Sequence, residues 1–172
     1  MKVGISQEVR GLRRLLEQGA RLALKLETFS SALIARQYEA KIAALDGVLE
    51  TVPASKKLEL IKQEFDRTSG ERKLSEKIAE IEGKLGVSFP KAELIICEDY
   101  FQTTGIDLTR AALMKDESQL VGRVLSVIGS IAITEYDGNL LAYNLKKYVG
   151  YRARKITEPV ELELPSEQLT LF

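Results

Sequence analysis

Residues 131–143 read IAITEYDGNLLAY, and they carry the clearest structural signal in the chain. β-Branched and aromatic side chains, which favour strands, lie on both sides of Asp137-Gly138. That dipeptide is typical of a tight turn between two antiparallel strands. The stretch therefore predicts a β-hairpin, with one strand over 131–136 and the next beginning at Leu140.

The predicted return strand continues from Leu140 to Arg154, where apolar and cationic side chains alternate. Because strands are usually shorter, Gly150 is expected to form a bend or bulge that divides it. Residues 144–155 contain no acidic side chain. Five residues are predicted to form a nucleic-acid-binding sheet face: Lys146, Tyr148, Arg152, Arg154 and Lys155. The same cations would also protect an exposed edge strand from aggregation, and both interpretations stay open.

The first half of the chain has the apolar spacing of helices. From Ser6 to about Gly47 the spacing predicts one long helix of about 40 residues, roughly 60 Å in length. Its apolar positions are Leu12, Leu15, Leu22, Leu26, Phe29 and Leu33, then Ile34, Tyr38, Ile42, Leu45 and Leu49 after a shift in register. A basic row on its other side would be either a solvated face or a contact for phosphates: Arg10, Arg14, Arg21 and Lys25.

Two shorter helices are predicted between Ser55 and Leu85, where Gly86 would end the second. A capping box at 68–71 would begin that second helix. The predicted fold class is therefore α+β, with a long, coiled-coil-like N-terminal antiparallel helical hairpin at residues 1–87. A small β-rich α+β domain would follow at 88–157, and a tail at 158–172. The helices would fold back on each other or pair with a second copy, which would make a homo-oligomer.

The amino-acid composition favours a non-catalytic protein over an enzyme. The chain has no histidine, and its 25 basic residues balance 25 acidic ones. No Gly-rich phosphate loop, metal-ligand cluster or nucleophile elbow is present, so no catalytic residue, metal site or cofactor is predicted. The single cysteine, Cys97, is expected to be a small buried residue. Glu98 and Asp99 are the pair that a magnesium-dependent nuclease would use, which is the least favoured alternative.

The chain is expected to be cytoplasmic. No apolar run approaches the roughly 20 residues of a membrane span. The first residues also lack the apolar stretch of a signal peptide.

The tail ends in large apolar residues, where a terminus is more often polar. Its last five residues are Gln168, Leu169, Thr170, Leu171 and Phe172. This sequence resembles the Gln-Leu-Ser/Asp-Leu-Phe motif by which bacterial polymerases, repair proteins and some plasmid or phage replication proteins dock on the β sliding clamp. Four of the five positions match, and Thr170 replaces Ser or Asp.

The resemblance implies a non-catalytic accessory protein of DNA replication or repair, whose partners are the clamp and DNA. Leu171 and Phe172 would fill an apolar pocket on the clamp, Leu169 a neighbouring one, and Gln168 would satisfy polar groups at the rim. An alternative is a coiled-coil structural or adaptor protein. In that case the alternation of Val160, Leu162 and Leu164 with Glu would continue the tail into a strand packed on its own domain.

Overall fold

The structure, a computed structural model, describes residues 1–114 and 119–156. These residues include four α-helices: Gly11–Gln18 (α1), Ala32–Ala43 (α2), Ala54–Lys62 (α3) and Arg67–Leu85 (α4). They also include six strands: Leu22–Lys25 (β1), Glu93–Ile96 (β2), Ala112–Leu113 (β3), Arg123–Ile128 (β4), Ile131–Tyr136 (β5) and Asn139–Asn144 (β6). The described residues also contain four short 3₁₀ turns: Glu8–Arg10, Glu98–Phe101, Leu108–Arg110 and Leu145–Tyr148.

The predicted hairpin is confirmed and forms the centre of the main sheet. Tyr136 pairs with Asn139 across a two-residue turn in which Asp137 and Gly138 have φ angles of 48° and 74°. Positive φ at both positions is the geometry of a type I′ turn, whose twist matches that of the strands. The sheet order is β3-β6-β5-β4, with β3 parallel to β6 and the other pairs antiparallel.

The return strand is shorter than predicted. β6 ends at Asn144, whose side chain accepts a hydrogen bond from the Lys146 amide and begins the turn Leu145–Tyr148. This local hydrogen bond offers the backbone an alternative to the sheet ladder. Residues 145–156 contain no strand, so the predicted extension of the sheet over these residues is wrong, whereas the binding of nucleic acid by their cations stays a prediction.

The long N-terminal helical hairpin is also wrong. α1 ends after eight residues because Gly19 adopts the left-handed conformation, with φ of 72°, and its amide donates to the carbonyls of Leu15 and Leu16. This is a usual way for a helix to end. The chain then extends as β1, in which Leu22 pairs with Ile96 and Lys25 with Glu93 in an antiparallel two-stranded sheet with β2. The expected coiled-coil pairing with a second copy rested on that hairpin.

The two shorter helices predicted between 55 and 85 are present as α3 and α4. Asp66 caps α4 by accepting a hydrogen bond from the Ser69 amide at 3.0 Å, so the helix begins before the predicted capping box. Gly86, with φ of 63°, ends it as predicted. The longest helix is thus α4, at 19 residues, and the protein is a small α+β protein.

The main core lies between the large sheet and the segments packed on it. Four buried side chains of α3 and the 3₁₀ turns, Leu58, Ile61, Phe101 and Leu108, share a cluster with Ile131 and Ile133 of β5. α1 approaches the β4–β5 turn so closely that a Cβ built on Gly129 would lie 2.7 Å from the Gly19 amide nitrogen. Cys97 is fully buried, as predicted, and burial raises the pKa of its thiol. Within the described ranges, no helix has the length and apolar character to cross a membrane.

Candidate nucleic-acid interface

The cationic residues predicted to bind nucleic acid lie in and after the last 3₁₀ turn. Lys146 is in the turn, and Arg152, Arg154 and Lys155 follow it; all four side chains are exposed. Tyr148 is half-buried and packs against the core cluster around Tyr143. Tyr151 is 79% exposed, so it is the aromatic side chain of this segment that solvent and ligands can reach.

The charges of Lys146, Lys2 and Arg14 all act on Lys57, and of these four residues Lys2 and Lys57 were not among the candidates predicted from the sequence. Lys57, on α3, reaches the carboxyl end of α1, where its Nζ donates to the Gln18 carbonyl at 2.8 Å. Burial lowers the pKa of Lys57, and the positive charges of Lys146, Lys2 and Arg14 lower it further. We call these four residues, Lys2, Arg14, Lys57 and Lys146, the cationic cluster.

Carboxylates interact with two members of the cluster, Lys2 and Arg14. Burial and Arg14 lower the pKa of Lys2, whereas Glu39 and Glu50 raise it. Arg14 lies 3.9 Å from Glu17. The groups that shift the pKa of Lys57 are, by contrast, all positive. An anion bound beside Lys57 would therefore relieve this repulsion and raise the pKa of the lysine.

The basic row predicted along one long helix does not exist as a continuous face, because α1 ends at Gln18. Arg10 pairs with Glu17 at 2.6 Å, and Lys25 lies 3.6 Å from Glu8. Arg21 turns inward to Glu98. Arg14 is thus the member of the row that joins the cationic cluster.

Arg21 and Glu98 form a second polar feature. The Arg21 Nε lies 2.6 Å from Glu98 Oε2 and its Nη2 lies 2.7 Å from Oε1, while Nη1 donates to the Gln63 carbonyl at 2.7 Å. The guanidinium carbon lies 4.6 Å from the centre of the Phe65 ring. Thr103 Oγ1 also donates to Glu98 Oε1, at 3.2 Å, so this carboxylate is well occupied.

Glu98 and Asp99, the acidic pair considered for a nuclease, differ in their exposure to solvent. Glu98 is half-buried in its ion pair, whereas Asp99 is exposed on the adjacent turn. In the part of the chain that the structure describes, no three His, Cys, Asp or Glu side chains converge as metal ligands would.

An open groove of about 330 Å³ lies beside the Arg21–Glu98 pair. One wall is formed by the end of α3 and the residues after it, and the other by residues 103–109. Its lining includes Arg21, Ile61, Phe65, Thr103, Leu108 and Thr109. The predicted clamp-binding residues, 168–172, lie outside the described residues, as do Val160, Leu162 and Leu164.

Comparison with known proteins identifies the family of the chain. No curated protein and no solved structure matches it. Residues 1–153 match the family described as protein of unknown function (DUF2797), and this range covers all the elements above. Because the match spans most of the 172 residues, the chain belongs to the DUF2797 family.

Proposed function

We propose that this protein is a non-catalytic accessory protein of DNA replication or repair, which contacts DNA and docks on the bacterial β sliding clamp. The observation that carries the DNA contact is the cationic cluster, in which the positive charges of Lys146, Lys2 and Arg14 act on the partly buried Lys57, whose Nζ donates to the Gln18 carbonyl. Holding like charges together costs free energy, and the phosphate backbone of a nucleic acid would recover it.

The residues that follow Lys146 in the chain add further exposed cations. Arg152, Arg154 and Lys155 are exposed and follow Lys146 in the chain without an intervening acidic residue. Tyr151 adds an exposed ring, on which an unstacked base can stack. Cations that bind phosphates and an accessible aromatic ring that stacks on a base, within one short segment, suit a nucleic acid better than a small anion.

The clamp contact is proposed from residues 168–172. Leu171 and Phe172 would enter an apolar pocket of the clamp, and a five-residue anchor of this kind binds weakly, on the order of micromolar affinity. A clamp loaded on DNA presents both proposed partners at once, so two weak contacts would reinforce each other through their effective concentration. This partner would place the protein in the cytoplasm.

A binding measurement with immobilised sliding clamp tests the docking. The double substitution Leu171→Ala/Phe172→Ala should abolish the binding of the full chain to the clamp. Val160→Ala/Leu162→Ala removes a similar apolar volume from the same tail outside the motif, and it should leave binding unchanged. Undiminished binding by the motif variant would rule out the proposed docking.

A further inference from the structure

We propose that the groove between residues 61–65 and 103–109 holds one base of a single-stranded nucleic acid whose phosphates lie on the cationic cluster. This inference rests on the DNA contact proposed above, and it adds the strandedness of the ligand and the position of a base. We call this groove, lined by Arg21, Ile61, Phe65, Thr103, Leu108 and Thr109, the base groove.

The inner wall of the base groove has the surfaces on which bases stack. The Arg21 guanidinium lies over the Phe65 ring, and both line the groove. Nucleobases stack on aromatic rings and on guanidinium planes. Glu98 and the Gln63 carbonyl fix the guanidinium through three hydrogen bonds, so this wall is already in place before a ligand arrives. The buried side chains of Ile61 and Leu108 add an apolar floor.

The rim of the base groove carries hydrogen-bonding groups suited to a base edge. The hydroxyl hydrogens of Thr103 and Thr109 are donated to Glu98 and Asp107, at 3.2 and 2.5 Å, so both hydroxyl oxygens serve as acceptors. Glu64 is exposed at the opposite wall. Carboxylates accept hydrogen bonds from exocyclic amino groups, which cytosine has and thymine lacks. The rim therefore favours cytosine over thymine.

The helix α3 connects the base groove to the cationic cluster. Lys57 and Ile61 both belong to α3. They lie four residues apart on one face of the helix, a separation of about 6 Å along its axis. Two hydrogen bonds attach α3 and the residue after it to the end of α1 and the start of β1: Lys57 donates to the Gln18 carbonyl, and Arg21 donates to the Gln63 carbonyl. From Lys57 to Gln63 is about 9 Å by the same helical rise, the length of two or three stacked nucleotides.

A duplex would keep its bases stacked and paired, out of reach of a side groove. A single strand can lay phosphates along Lys57 and Lys146 and turn a neighbouring base toward Phe65. The volume of the base groove is about 330 Å³. This is at the small end of the range of ligand pockets, as one base requires.

Fluorescence anisotropy with labelled oligonucleotides tests this inference. The probes are oligo(dC), oligo(dT) of equal length, and a blunt hairpin duplex. Phe65→Leu keeps an apolar side chain but removes the ring, and it should weaken oligo(dC) binding about fivefold or more. Phe65→Tyr restores the ring and should bind oligo(dC) as the unaltered protein does. Duplex affinity should be the same for all three proteins.

Two further variants keep the test decisive. Tyr100→Leu removes an aromatic side chain that is 58% exposed but does not line the base groove, and it should leave binding unchanged. Thr109→Trp fills the groove from its exposed rim, and it should cause the same loss as Phe65→Leu even if Phe65→Leu is poorly folded.

The outcomes separate this inference from the function on which it rests. If Phe65→Leu and Thr109→Trp bind oligo(dC) normally while Lys146→Glu binds it weakly, the base groove is overturned and the DNA contact stands. Equal affinity for oligo(dC) and oligo(dT) would overturn the role of the rim. If the unaltered protein binds none of the three probes, the DNA contact itself fails.

Discussion

Arg21 and Glu98, which lie 77 residues apart in the chain, meet in a two-point ion pair with contacts of 2.6 and 2.7 Å. The Arg21 carbonyl also accepts hydrogen bonds from the amides of Cys97 and Glu98, at 2.9 and 3.0 Å. Backbone and side chain of Arg21 thus both attach the start of β1 to the turn after β2. Because Arg21 lines the base groove, this attachment holds one of the walls of the groove in place.

Glu98→Gln removes the carboxylate from the half-buried Arg21 guanidinium. An uncompensated cation of this kind should lower the free energy of unfolding by roughly 2 kcal/mol. Urea unfolding followed by circular dichroism measures this. Asp99→Asn is a matched change at the exposed neighbour. It should stay within about 0.5 kcal/mol of the unaltered protein. Equal losses in the two variants would contradict the structural role of the pair.

Gly129→Ala should destabilise the fold more than the same change at Gly138. Both glycines have positive φ, at 62° and 74°. Both substitutions therefore carry backbone strain of about 1 kcal/mol. A Cβ at Gly129 would also meet the Gly19 backbone at 2.7 Å, whereas one at Gly138 would meet nothing within 4 Å. We expect Gly129→Ala to cost about 3 kcal/mol or more in urea unfolding. Similar costs at both positions would contradict the close approach of α1 to the sheet.

Lys57 should make nucleic-acid affinity fall as the pH rises through its lowered pKa. Burial and its cationic neighbours place the folded-state pKa below the ordinary 10.5, so the unfolded chain binds the proton more tightly. The contribution of Lys57 to the free energy of unfolding therefore rises with pH between its folded-state pKa and the ordinary value. Bound phosphates favour the charged form and should raise the pKa. NMR titration of the Lys57 side chain with and without oligo(dC) measures the shift, and an unchanged pKa would place the phosphates elsewhere.

How far the fold can be predicted from the sequence depends on how local its determinants are. The hairpin at Asp137-Gly138 and the end of α4 at Gly86 are predictable because φ preferences act within a few residues. The strand through Leu22 is not, because the spacing of leucines fits a helix while pairing with distant Ile96 makes this segment a strand. Tertiary contacts override local propensity at such positions.

Some residues of the candidate site could likewise be predicted from the sequence, and others could not. Lys146 is predictable from the run of cations in its own segment, but Lys2, Arg14 and Lys57 join it from parts of the chain that no spacing rule relates. The prediction of Tyr148 rests on alternation along a strand. That alternation stops where Asn144 begins a turn, which leaves Tyr148 against the core and Tyr151 exposed.

The most direct test of the central claim is the salt dependence of oligo(dC) binding for two charge reversals. Lys146→Glu alters the cationic cluster, whereas Lys73→Glu makes the same charge change on the exposed side of α4. We predict that Lys146→Glu weakens binding about tenfold and reduces the slope of log K against log salt by about 1, while Lys73→Glu changes neither. Equal effects of the two reversals, or none from Lys146→Glu, would contradict a nucleic-acid interface at the cationic cluster.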